Sequence, residues 1–242
     1  MQKYQLFIIT VALLLSSVVH SQNLVMYKNE RNSVITQGQL DTLIKKINKG
    51  MASMKMDARA RIRGQQQVGD TLFYLYSLEI LDSANRAAQV QRDRFVNNPL
   101  PSFSYPDLDG KIIKSDDLLG KPVVINLWFT SCIPCINEMP ELNRMKNKYR
   151  DSGVVFLSIT YESKEAVRKF LTKHNFQFRH IPDAKEFCSP ITELYPVNIF
   201  VDKKGMVVQI LGGIPEIQDA NGKRSGKMDS SEFEYLIASI IH

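Results

Sequence analysis

Two cysteines three residues apart, Cys132 and Cys135, are the side chains of this chain best placed to do chemistry. They stand in Trp128-Phe129-Thr130-Ser131-Cys132-Ile133-Pro134-Cys135. The apolar run Pro122-Val123-Val124-Ile125-Asn126-Leu127 precedes this stretch, and a helical pattern continues from it through Asn137, Glu138 and Leu142. At the start of a helix that spacing puts both sulfurs on one face, about one turn apart, which suits a disulfide that opens and closes. The unpaired N–H groups of a helix N-terminus carry a partial positive charge that favours thiolate over thiol. Cys132, nearer the helix start and flanked by no acid, is therefore expected to attack, and Cys135 to resolve the mixed disulfide. Half of a zinc site would share the spacing but needs two further ligands. Beyond residues 1–21 the chain offers only Cys188 and the distant His174, His180 and His242. A purely structural bridge over so short a loop would constrain the unfolded chain little. Redox exchange is the favoured reading.

The elements that must position these thiols can be read on either side of them. A run of β-branched residues over 122–127 is expected to be a strand buried on both faces. Upstream, Phe103 to Ile113 reads as a hairpin turning at Asp109-Gly110, and Ser115 to Gly120 as a short capped helical turn with a glycine exit. Downstream, Val154 to Ile159 is a second buried strand, and Ser163 caps a helix running to about His174. Phe176 to Ile181 reads as a short strand and Ala184 to Leu194 as a helix. Val197–Asp202 and Met206–Leu211 form a hairpin about Lys203-Lys204-Gly205, and Ser230 to Ile241 a closing helix. Strand–helix–strand passes imply parallel pairing and the late hairpin an antiparallel edge, so the expected class is α/β with a mixed central sheet.

The first hundred residues are less regular. Lys3, the apolar run from Leu6 to Leu15 and the Val19-His20-Ser21 end predict a signal peptide over residues 1–21 and an exported protein. The run is shorter than the roughly 20 residues of a membrane span, and no cysteine near the cleavage point offers a lipid-attachment cue. Contact with the membrane is thus expected only if this peptide stays uncleaved. Residues 22–98 read as a small α+β segment. Leu40, Leu43, Ile44 and Ile47 mark an amphipathic helix over 37–48 with Gly50 as its stop. A hairpin turns at Val68-Gly69-Asp70, and Ser83 to Phe95 is helix-compatible. Nothing catalytic gathers there, so a structural attachment is preferred over a docking module. Asn97 to Pro101 reads as a linker into the unit over 99–242.

A content of 44% hydrophobic and 23% charged residues suits a globular protein. The formal charge is +6, and +5 without Lys3 of the signal peptide, which contains no acid. The basic residues are dispersed and form no stripe interleaved with aromatics, so nucleic-acid binding is unsupported.

Trp128 four residues before Cys132, the Cys132-Ile133-Pro134-Cys135 motif, Glu138-Met139-Pro140 after it, and Pro196 followed by Val197 to Gly205 together resemble the exported thioredoxin-like proteins of the TlpA/ResA group. The resemblance covers residues 99–242 and implies a thioredoxin-like fold with an N-terminal hairpin and an inserted strand–helix unit. It implies attack by Cys132 and release by Cys135. It also implies a cis Pro196 facing the disulfide, with Tyr195, where relatives carry Thr or a small residue, offering main-chain hydrogen bonds to an extended substrate. Trp128, Ile133 and Pro134 join Tyr195 and Pro196 as substrate-side residues, with Trp128 shielding one side of the disulfide, though a core tryptophan would look the same in sequence. Glu138 matches an acid of the relatives. It could exchange protons with Cys135 or raise its pKa, or it could be a solvated helix-surface glutamate. Cys188 has no counterpart and is expected to be buried and inert. The resemblance favours the reductant direction, with re-reduction by a membrane thiol-transfer partner. The expected substrates are exported protein disulfides, those of cytochrome c maturation among them. No metal or organic cofactor is required, because two sulfurs store both electrons. Two alternatives stay open: a thiol peroxidase, for which Thr130 is suggestive, and a non-catalytic binding module.

Overall fold

The computed structural model describes residues 24–218 and 224–241; the stretch read as a signal peptide lies outside them. Among the described residues no helix is long and apolar enough to cross a membrane. The first sheet is built from β1 (Leu24–Asn29), β2 (Val34–Ile35), β3 (Met56–Val68) and β4 (Thr71–Asp82), in the order β2-β1-β4-β3. β3 and β4 form the hairpin expected at Gly69, whose φ of 57° suits glycine. β1, which carries no alternation to announce it, is held by parallel pairing to β4. Helix α1 (Gln37–Met51) starts at a reciprocal cap between Thr36 and Gln39 and buries Leu40. It does not stop at Gly50. It runs on through a 3₁₀ turn to Lys55, which takes the left-handed conformation at φ 54°. The Asn48 side chain bonds both backbone groups of Ala58 and so locks α1 to β3. Helix α2 (Ser83–Asp93), capped by Asp82, follows.

The linker expected over 97–101 does not stand free of the fold. Residues 97–100 lie along a strand edge: the Asn97 N–H donates to the Val207 carbonyl at 2.8 Å, and the Val207 N–H to the Asn98 carbonyl at 2.9 Å. Beyond them β5 (Ser104–Pro106) and β6 (Ile112–Lys114) make the first hairpin of the second unit, followed by a 3₁₀ turn over 115–118. Then come β7 (Val123–Leu127), α3 (Ile133–Lys148), β8 (Val155–Ile159), α4 (Lys164–Leu171), β9 (Arg179–Ile181), α5 (Lys185–Cys188), β10 (Val197–Val201) and β11 (Val207–Leu211). The sheet order is β11-β10-β7-β8-β9, with β7, β8 and β9 parallel and β10 antiparallel to both of its neighbours. A short pair, β12 (Glu216–Gln218) and β13 (Arg224–Met228), precedes the closing helix α6 (Ser231–Ile241).

Alternation along β7 divides the core. Val124 faces a cluster shared with α3, α4 and α6, whereas Val123, Ile125 and Leu127 face one closed by Phe103, Ile113, Leu118 and Phe187. The helix expected over 184–194 is a single turn, because Pro190 has no N–H to continue the ladder. The two units are joined by ion pairs from β3 to the α6 end of the chain: Arg61 with Glu232, both buried, and Arg63 with Asp229 at 2.8 Å.

Candidate active site

Cys132 is the N-cap of α3. Its Sγ accepts the Cys135 N–H at 3.2 Å, and the two cysteines are joined in a disulfide. Pro134 sits in the first turn, where its missing N–H costs no helical bond. Ile133 is 64% exposed and Pro134 is exposed, so the two residues between the cysteines form the solvent-facing side of the bridge. The cysteines themselves are buried at 4% and 1%, Cys132 being the more accessible. The preceding loop is held by Glu162, which accepts the Thr130 N–H at 2.6 Å and the Thr130 hydroxyl at 2.9 Å.

Glu138 lies one turn beyond Cys135 and is only 1% exposed, so the solvated-surface alternative does not hold. Its Oε1 accepts Asn126 Nδ2 at 2.9 Å and Asn198 Nδ2 at 3.4 Å, and its Oε2 accepts the Ile214 N–H at 2.8 Å. Burial raises its pKa to about 7, outweighing these three donors, each of which favours the anion. Asn126 and Asn198 were not singled out in the sequence. Their signal was there, a lone polar residue within each of two apolar strands. The alternation that sends Val124 toward α3 sends Asn126 the same way.

The Tyr195–Pro196 peptide is cis. Pro196 packs beside Glu138, and a Cβ on Gly213 would come within 2.9 Å of the Pro196 ring and 3.1 Å of Glu138 Oε2. Half-buried Tyr195 completes a triangle of rings with Phe129 at 5.4 Å and Tyr161 at 5.9 Å. Its side chain is hydrogen-bonded to that of Cys188, and burial raises the pKa of its phenol. Cys188 is wholly buried, and desolvation pushes its thiol up to about 12, so it stays protonated. Trp128 was placed among the substrate-side residues, yet it has no exposed surface. It lies in the same apolar cluster as both cysteines, with Phe170 at 4.9 Å and Phe176 at 5.6 Å, and forms a back wall to the site. Among the described residues no group of three or more His, Cys, Asp or Glu side chains is assembled to hold a metal ion.

The AhpC/TSA family model matches residues 96–210. The thiol-disulfide oxidoreductase ResA of Bacillus cereus is 34% identical over 124 residues, covering 49% of this chain and 70% of that protein. The thioredoxin-like protein YneN of Bacillus subtilis is 32% identical over 114 residues, covering 46% and 67%. A Chlorobium tepidum structure assigned to the thiol:disulfide interchange protein DsbE superposes with a TM-score of 0.50 at 21% identity, over 61% of this chain and 98% of that one; at that identity it speaks for the fold alone. The sequence identity, the mixed sheet and the cysteine pair at the head of α3 agree, and the chain belongs to the TlpA/ResA-like family of thioredoxin-fold thiol–disulfide oxidoreductases.

Proposed function

We propose that this protein is an exported oxidoreductase that reduces disulfides of polypeptide substrates through Cys132 and Cys135. The observation that carries this reading is the position of Cys132 at the head of α3, with its sulfur on the Cys135 N–H and a buried carboxyl one turn further on. In the reduced enzyme the Cys132 thiolate, favoured by the helix N-terminus, attacks one sulfur of the substrate disulfide. A mixed disulfide forms and one substrate thiolate leaves. Cys135 gives its proton to Glu138, whose pKa near 7 suits exchange at neutral pH. The resulting thiolate attacks Cys132 Sγ, the second substrate sulfur leaves as a thiolate that takes up the proton held by Glu138, and the enzyme holds the disulfide. Two electrons have passed to the substrate, and no metal or organic cofactor takes part. A membrane thiol-transfer partner returns the electrons, and proteins with oxidised cysteines, including those of cytochrome c maturation, are the substrates. The Thr130 hydroxyl bonds to Glu162, which supports exchange over the peroxidase alternative.

The direction is tested by the reduction potential of Cys132–Cys135, equilibrated against thiol buffers. A value near roughly −270 mV fits a reductant, and one near about −120 mV reverses the direction. Cys132→Ser is expected to abolish insulin reduction; retained turnover would mean that Cys132 is not the nucleophile.

A further inference from the structure

Residues 24–98 hold no redox chemistry, yet they bring three arginines to the edge of the redox site. A cavity of about 250 Å³ is lined by Arg59 and Arg61 of β3, Glu79 of β4 and Arg92 of α2, together with Tyr195, Pro196 and Gly213. At about 30 Å³ per water it has room for an acidic side chain. Leu194, 42% exposed, also lines it. Two of the arginines are matched within the fold. Arg59 pairs with Glu79 at 2.7 Å, and Arg61 pairs with Glu232 and, at 3.5 Å, with the same Glu79. Arg92 is not. It is 94% buried (6% exposed), it lies in no ion pair among the described residues, its one side-chain acceptor is Gln89 Oε1 at 3.2 Å, and its buried Nε has no partner. A guanidinium carries five donors and does not give up its charge, so leaving it buried without a carboxylate is costly unless an anion is brought to it. Burial, with Arg59 nearby, depresses its pKa against the opposing pull of Asp93 and Glu79.

We propose that this cavity is an anion subsite of the redox centre, in which Arg92 binds the carboxylate of an Asp or Glu lying close in sequence to the reactive cysteine of the substrate polypeptide. The proposal rests on the reading of Cys132–Cys135 as the reacting pair and of Tyr195–Pro196 as the place where the substrate main chain runs, because the same Tyr195 and Pro196 wall the cavity. It gives the segment before the thioredoxin unit a role in choosing substrates.

The test uses the full chain and synthetic disulfide peptides carrying Glu or Gln two, three or four residues from the reactive cysteine. The wild type is expected to reduce at least one Glu peptide with a kcat/KM about tenfold above its Gln counterpart, as a charge-assisted hydrogen bond in a buried site would give. Arg92→Met is expected to bring that ratio to about one. A ratio near one for every pair in the wild type, or a preference that survives Arg92→Met, overturns the proposal. Should the Met variant not fold, Arg92→Lys, which loses the planar fork, is expected to weaken the preference, and an unchanged preference overturns it. If the wild type reduces neither kind of peptide, the reading of the cysteine pair has failed on its own. Calorimetric titration of the oxidised protein with a disulfide-free Glu peptide then decides the subsite separately. Saturable binding that Arg92→Met removes upholds it, and no binding overturns it.

Discussion

Replacing Glu138 by Gln should change how the stability of the protein depends on pH. Burial raises the folded-state pKa of Glu138 from 4.5 to about 7. Between those values the native state holds more protons than the unfolded chain, so stability falls as pH rises and is level above about pH 7. At ~1.4 kcal/mol per pH unit the loss amounts to about 3 kcal/mol. His180 acts in the opposite sense. It is 8% exposed, its Nε2–H donates to the Phe176 carbonyl at 3.0 Å, and its Nδ1 accepts the Ser158 hydroxyl at 2.5 Å. Desolvation lowers its pKa from 6.5 to about 4. Here the unfolded chain holds more protons, so stability is lost as pH falls through that window, again by about 3 kcal/mol. The two windows overlap from pH 4.5 to 6.5, where the terms nearly cancel. Glu138→Gln turns the Ile214 N–H toward an amide that cannot both accept from it and accept from the asparagines. That cost, about 1–3 kcal/mol, is the same at every pH and moves the curve without tilting it. Urea unfolding of the oxidised protein at a series of pH values from 4.5 to 7.5 should therefore show the variant gaining stability relative to the wild type as pH rises, by about 3 kcal/mol across that range. Contributions from other groups, Glu232 among them, drop out of the difference. Parallel curves for wild type and variant would refute the buried-carboxyl argument.

Cys188→Ser should leave disulfide reduction intact and cost about 1 kcal/mol of stability, because a hydroxyl at this apolar site keeps only its Tyr195 partner; lost activity in a folded variant would give Cys188 a redox role. Gly213→Ala forces a Cβ against the Pro196 ring and the Glu138 carboxylate, neither of which is free to swing aside. We expect a loss of about 1–3 kcal/mol and slower insulin reduction, and a variant matching the wild type in both would show that this packing does not hold the site.

Local chemistry was legible wherever neighbouring residues decide the outcome. The apolar run ending at Leu127 became β7, the cysteines came to the head of α3, and Gly110, Gly205 and Gly69 turned the hairpins they mark, each with φ above zero. Period and turn residues act over a few positions, so the chain itself specifies them. Gly50 misled because a glycine permits a helix end without requiring one, and packing against β3 carried α1 past it. What the sequence alone determined, then, was the order of elements, the class of fold and which two sulfurs stand one turn apart. Only the tertiary structure decided that Glu138 is buried, because its surroundings come from Asn126, Asn198 and Ile214 on separate parts of the chain. In the same way it set Arg92 beside Tyr195 and Pro196, far along the chain. Burial, and with it the charge state of a carboxyl or the cost of an unpaired guanidinium, depends on what folding brings into contact, which no local spacing encodes.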